Sequence, residues 1–143
     1  MTHTILLAED NPDHALLAVE ALESVHGGDV EIEVVRDGVE ALERLQDGTR
    51  PTPSLVLLDI QMPRADGFTV LERIKSDPRL HVLPVVMLTS SDEESDIARS
   101  YGLGSNSYVT KPIEADALFD RISRIPSYWF RVNSLPPLET PSS

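Results

Sequence analysis

Five short apolar runs, spaced along the chain with helical-period segments between them, constrain this sequence more than any other feature. The runs are TILLA (4–8), EIEVV (31–35), SLVLL (54–58), PVVML (84–88) and SYVT (107–110). Between them, apolar residues recur three or four positions apart, as on one face of a helix. Leu16, Val19 and Leu22 do so, as do Val39, Leu42 and Leu45, and Phe68, Leu71 and Ile74. Ile97 and Tyr101 follow more weakly, and Leu118, Ile122 and Ile125 close the series. Strand and helix alternating in this way predict an α/β domain around a parallel sheet.

The runs also differ from one another. ILLA, LVLL and VVML are apolar at successive positions, as strands covered by helices on both faces must be. EIEVV alternates and SYVT is half polar, which places these two at the sheet edges. Boundary residues agree with the division. Asn11-Pro12 and Asp37-Gly38 precede helices, Gly27-Gly28 and Asp47-Gly48 follow them, and Asp77-Pro78 ends another. The alternation stops near Ile125, and residues 126–143 hold four of the eleven prolines, so they read as a tail.

With 143 residues the chain is expected to form one domain with an adequate core, and 41% hydrophobic with 25% charged residues suits a globular protein. The absence of cysteine rules out disulfides and thiolate metal sites. His3, His14, His26 and His81 are too scattered in sequence to suggest a zinc ligand set. A formal charge of −12 argues against nucleic acid as a partner, since phosphate binding needs a basic face. No apolar stretch approaches a membrane span, and MTHTILLAEDN lacks the basic lead of a signal peptide, so no membrane association and a cytoplasmic location are expected.

The chemistry lies in the residues that follow the strands. Glu9 and Asp10 follow the first, Asp59 the third, Thr89 the fourth and Lys111 the fifth. In an open parallel sheet all of these gather beyond the carboxyl ends of the strands, where such domains bind ligands. Each alone has a plainer reading: Asp10 or Asp59 as a cap or turn residue, Thr89 as a cap, Lys111 as a solvated charge. Their coincidence at one edge favours a site. Three carboxylates held together need a cation, and oxygen donors without His or Cys indicate a hard divalent ion, magnesium fitting best. Lys111 and Thr89 would then serve a phosphoryl group on or near a carboxylate, in a chemistry that depends on positioning and charge stabilisation.

Glu9-Asp10, Asp59, MPRADG (62–67), LTS (88–90) and KP (111–112) together resemble the receiver domains of two-component response regulators, over about residues 3 to 125. The resemblance implies a flavodoxin-like, doubly wound sheet of strand order 2-1-3-4-5. It implies Asp59 as phosphoacceptor, with Glu9, Asp10, Asp59 and the backbone carbonyl of Gln61 holding Mg²⁺. By the same resemblance Thr89 and Lys111 are phosphoryl ligands and Tyr108 with Thr89 forms the switch; for Lys111-Pro112 the residues allow a trans proline starting the last helix, and the resemblance alone favours a cis bond. Glu at position 9 adds one methylene of reach to the metal site. Gly67 is expected to adopt a backbone conformation closed to other residues. The implied donor is a phosphohistidine on a sensor histidine kinase, and the protein is a phosphoacceptor, not a turnover enzyme.

An aspartyl-phosphate hydrolase is the alternative from another class. Such enzymes carry a second carboxylate two residues after the nucleophile, where this chain has Gln61, and no insertion is large enough for a cap over the substrate. A receiver-fold module working unphosphorylated is a third reading, opposed by the intact ligand set. No output domain is expected to follow, so the signal leaves through protein contacts. Tyr128, Trp129 and Phe130 are adjacent, followed by LPP (135–137). They either cap the domain's own core or form part of a homodimer contact through the last helix and tail. That run, together with LLAEDNPDHALLAVEAL and RDGVEAL, resembles receivers that partner phytochrome-type light-sensing kinases (bacteriophytochromes among them).

Overall fold

A computed structural model describes residues 3–24 and 30–137. Five parallel strands form one sheet: β1 His3–Ala8, β2 Val30–Val35, β3 Leu55–Leu58, β4 Val85–Thr89 and β5 Ser107–Thr110. Their order is β2-β1-β3-β4-β5, all neighbours parallel. Helices α1 Pro12–Glu23, α2 Gly38–Gln46, α3 Gly67–Ser76, α4 Glu94–Gly102 and α5 Ala115–Ser123 alternate with the strands. This is the doubly wound strand order expected, and EIEVV and SYVT occupy the two edges. The Gly27-Gly28 boundary lies outside the described residues.

Alternation along the three central strands feeds two cores. Leu6, Ala8, Val56, Leu58, Val85 and Met87 face Ala41 and Leu45 of α2 and Phe68, Leu71 and Ile74 of α3. Ile5, Leu7, Leu55, Leu57, Val86 and Leu88 face Ala18, Ala21 and Leu22 of α1 and Leu118 and Ile122 of α5. Both neighbours of each strand residue are therefore apolar, which is why these runs carry no polar alternation.

Helix starts follow local chemistry. Asn11 caps α1 by accepting from the Asp13 and His14 N–H groups at 3.0 and 3.1 Å, with Pro12 in the first turn. Asp37 caps α2 through the Glu40 N–H at 2.9 Å, and Asp66 caps α3 through the Thr69 N–H at 2.9 Å. Asp47 and Asp77 stand at the ends of α2 and α3.

The structure corrects three expectations. Leu16 is 62% exposed, whereas α1 buries Ala18, Ala21 and Leu22. Leu22 is buried and Val19 packs on the same core with Ala18 and Ala21, so of the large residues at that spacing Leu16 alone is turned to the outside. Gly67 is an ordinary helical residue, because Gly104 is the glycine with positive φ among the described residues. A Cβ on Gly67 would meet the Asp59 carbonyl oxygen at 2.2 Å, so space rather than conformation requires glycine there. The Lys111-Pro112 bond is trans, since the described residues contain no cis peptide. Trans is the intrinsically preferred isomer, and the Lys111 side chain enters the site from it.

Past α5 the chain stays helical, through α6 Ile125–Ser127 and a wide turn over Tyr128–Val132 closed by the Asn133 N–H donating to the Tyr128 carbonyl at 2.6 Å. Trp129 and Phe130 pack on the α1–α5 core, and Phe130 stacks on His3 of β1 at 4.1 Å between ring centroids. Tyr128 and Val132 remain exposed.

Candidate phosphoacceptor and cation site

The strand register carries polar residues to one edge. Ala8 pairs with Val35 and Leu58, Leu58 with Met87, and Thr89 with Thr110, so the residues just beyond fall side by side. Backbone bonds continue the ladders one step further: Glu9 N–H to the Val35 carbonyl, Asp59 N–H to Ala8, and Lys111 N–H to Thr89 at 2.7 Å. A cleft of about 220 Å³ opens there, and Glu9, Asp10, Asp59, Gln61, Thr89 and Lys111 all line it. Six of the seven residues expected at the site from strand-end position and family resemblance thus meet there, while the seventh, Tyr108, does not line the cleft.

Burial removes most of the plainer readings. The Lys111 side chain is 3% exposed and cannot be a solvated charge. Its ammonium donates to Glu9 Oε1, to Asp59 Oδ2 at 2.9 Å and to His14 Nδ1 at 3.1 Å. Thr89 is buried at the end of β4 and does not cap α4, whose N-cap is Glu93. Asp10 does not cap α1, because Asn11 does. Asp59 does accept the Gln61 N–H at 3.2 Å through Oδ1, so the turn role and the site role coexist.

Glu9, Asp10 and Asp59 each place one carboxylate oxygen within 4.8 Å of the others. Burial pushes the Glu9 carboxyl up, against the hydrogen bond and charge of Lys111, which pull it down; the Asp59 charge adds to the rise and the Asn11 N–H opposes it. The geometry offers a compact all-oxygen donor set, suited to a hard divalent cation. Lys111 reaches two of the same three carboxylates, Glu9 and Asp59.

Tyr108 sits on β5 with its ring against the α2–α3 core, and its hydroxyl donates to the Ser91 carbonyl at 2.7 Å. Burial raises its phenol above the usual value. The contact ties the edge strand to the loop that follows Thr89.

Asn11, His14 and Ser90 also line the cleft and were not singled out from sequence. Asn11 was legible only as a helix start. His14 lies in the first turn of α1, and its ring reaches the cleft only through the packing of that helix beside the strand ends. Its imidazole is held below its usual value, first by burial and then by the Lys111 charge, while Asp59, Asp13 and Asp10 act the other way.

The response regulator receiver domain family matches residues 5–123. This chain belongs to that family. Over 135 residues the receiver is 42% identical to the probable methanogenesis regulatory protein FilR2 of Methanothrix harundinacea, covering 92% of this chain and 86% of the relative. It is 39% identical over 136 residues to the response regulator Rcp1 of Synechocystis, covering 92% of each. Among solved structures, the phosphorylated cyanobacterial phytochrome response regulator RcpA superposes with a TM-score of 0.90 at 38% identity, over 96% of this chain and all (100%) of that one. The Mn²⁺-bound form of Rcp1 superposes with a TM-score of 0.88 at 38% identity, over 94% and 99% of the two chains. Receivers are phosphoacceptor signalling modules that bind a divalent metal, and the acidic cluster of this one has the donor chemistry such a metal takes.

Proposed function

We propose that this receiver, over residues 3–125, accepts a phosphoryl group on Asp59 from a sensor histidine kinase and signals through protein contacts. The observation that carries the reading is the placement of Lys111 against Asp59 and Glu9 at the floor of a cleft that Thr89 also lines. The cation is Mg²⁺, held by Glu9, Asp10, Asp59 and the Gln61 carbonyl. Bound there, it supplies positive charge next to the phosphoryl oxygens.

An Asp59 carboxylate oxygen attacks the phosphorus of a phosphohistidine. The P–N bond breaks, and the leaving imidazole nitrogen takes the electron pair and recovers a proton. Lys111 offsets the charge that develops on the phosphoryl oxygens, and the Thr89 hydroxyl donates to one of them. Thr89 lies at the head of the β4–α4 loop, to which the Tyr108 hydroxyl is bonded at Ser91, so a shift of Thr89 repacks that loop and Tyr108. The altered α4–β5 face is what a partner reads. Gln61, which titrates no proton, agrees with a receiver rather than a hydrolase.

Likeness to RcpA, a phytochrome response regulator, supports a phytochrome-type kinase as the donor, in the cytoplasm. No helix among the described residues is long and apolar enough to cross a membrane. The segment 126–143 is proposed as a tail that contributes, around Trp129, to a homodimer contact.

Labelling with a phosphorylated histidine kinase tests the reading. Wild-type protein takes up one hydroxylamine-labile phosphate, and Asp59→Asn takes up none; labelling of that variant at the wild-type level overturns the assignment.

A further inference from the structure

The Lys111 ammonium carries three hydrogens and meets three acceptors: Glu9 Oε1, Asp59 Oδ2 and His14 Nδ1. Two of these, Glu9 and Asp59, also belong to the acidic cluster. Their oxygens answer to two cationic partners, the lysine and any divalent ion bound there. His14 Nδ1 is the one acceptor on Lys111 outside the cluster. It is also neutral, because a nitrogen accepting from an ammonium presents its lone pair and leaves the ring hydrogen on Nε2.

We propose that His14 is a positioning residue for Lys111, holding the ammonium against Asp59 independently of the charge state of the acidic cluster. Three acceptors in different directions fix the rotation of an ammonium group, and removing one lets it turn. With the side chain 3% exposed, little water reaches Lys111 to replace the lost acceptor. The His14 backbone is fixed by the cap at Asn11, whose Oδ1 accepts the His14 backbone N–H at 3.1 Å and sets the first turn of α1. The inference rests on the receiver reading, in which Lys111 serves the phosphoryl group.

Phosphorylation by phosphoramidate at saturating Mg²⁺ tests it. In His14→Leu the rate falls about 3- to 10-fold, the equivalent of one ordinary hydrogen bond. His14→Asn, whose Oδ1 stands where Nδ1 does, restores most of the rate. Mg²⁺ affinity measured by calorimetry stays within about twofold in both variants, because neither changes the carboxylates. A His14→Leu rate equal to wild type overturns the proposal, as does failure of His14→Asn to rescue. Imidazole ¹⁵N spectra provide a second arm that needs no phosphorylation. Nδ1 is unprotonated in wild type, and its resonance moves in Lys111→Met; a hydrogen on Nδ1, or no movement, overturns the placement. If wild type takes no phosphoryl group, the receiver reading fails by itself and the spectra still decide the role of His14.

Discussion

Lys111 Nζ stands 2.9 Å from Asp59 Oδ2 while donating also to Glu9, so one buried cation is shared by two carboxylates that follow different strands. Removing it leaves both charges facing each other without compensation. Lys111→Met is expected to lose about 3 kcal/mol of stability in metal-free buffer, the usual cost of breaking a buried pair. Much of that loss returns when Mg²⁺ is added, which urea unfolding with and without the ion will measure.

Asp10 is exposed, in contrast to Glu9, so its substitution leaves the core alone. In wild type, Mg²⁺ or Mn²⁺ at a hundredfold excess over its Kd raises stability by about 2.7 kcal/mol through binding to the folded state. Asp10→Asn is expected to fold normally and to show little of that gain at the same ion concentration. Thermal unfolding across a metal titration checks both.

Glu33 on the edge strand β2 accepts from Arg44 Nε at 2.6 Å and pairs with Arg50 at 3.2 Å. The Arg44 hydrogen bond, opposed by burial and aided by both guanidinium charges, holds its carboxyl below the ordinary value of 4.5. A depressed carboxyl contributes stability that is complete above the unfolded value and is lost as pH falls through the folded one. Glu33→Gln therefore lowers stability near neutrality and flattens the acid limb below 4.5, as urea midpoints against pH will record.

A Cβ at position 67 would lie 2.2 Å from the Asp59 carbonyl oxygen and 2.8 Å from Ile60 Cα, both backbone atoms. The Gly67 N–H also donates to the Ile60 carbonyl at 2.8 Å. Gly67→Ala must push α3 away from the acceptor loop and is expected to cost about 3 kcal/mol, at the upper end for overpacking. The damage centres on Asp59, so phosphoryl uptake falls with it, read by denaturation and labelling together.

The proposed dimer contact is best tested away from Trp129, which packs on the core. Tyr128 is 50% and Val132 73% exposed, so both are available to a second copy. Val132→Glu with Tyr128→Glu is expected to convert a dimer to a monomer in sedimentation equilibrium, with little change in thermal midpoint. A wild-type monomer at micromolar concentration counts against the contact.

Much of the fold and of the candidate site was legible because both follow from local rules. Apolar runs without alternation report strands covered on two faces, and the polar residues after them reach one edge whatever the details of the helices. Leu16 shows where this ends. Its spacing with Val19 and Leu22 defines a helix correctly, yet the face that packs is centred on Ala18, Ala21 and Leu22, which leaves Leu16 at its margin. Gly67 reads from sequence as a conformational need, because a contact with the Asp59 backbone eight residues earlier is invisible to local reasoning. The aromatic tail had two open readings, and packing divides it: Trp129 and Phe130 turn to the core while Tyr128 stays outside.

The sequence by itself determined the order of strands and helices, the buried centre of the sheet and the carboxylates at its edge, since each depends on residue type and period along the chain. Tertiary structure decided which atoms meet. His14 is 97 residues from Lys111 and carries no local mark of a site residue, and only the crossing of α1 over the sheet sets its Nδ1 3.1 Å from the ammonium. Hydrogen bonding acts over about 3 Å, and sequence spacing holds no information on that scale once a chain has turned back on itself.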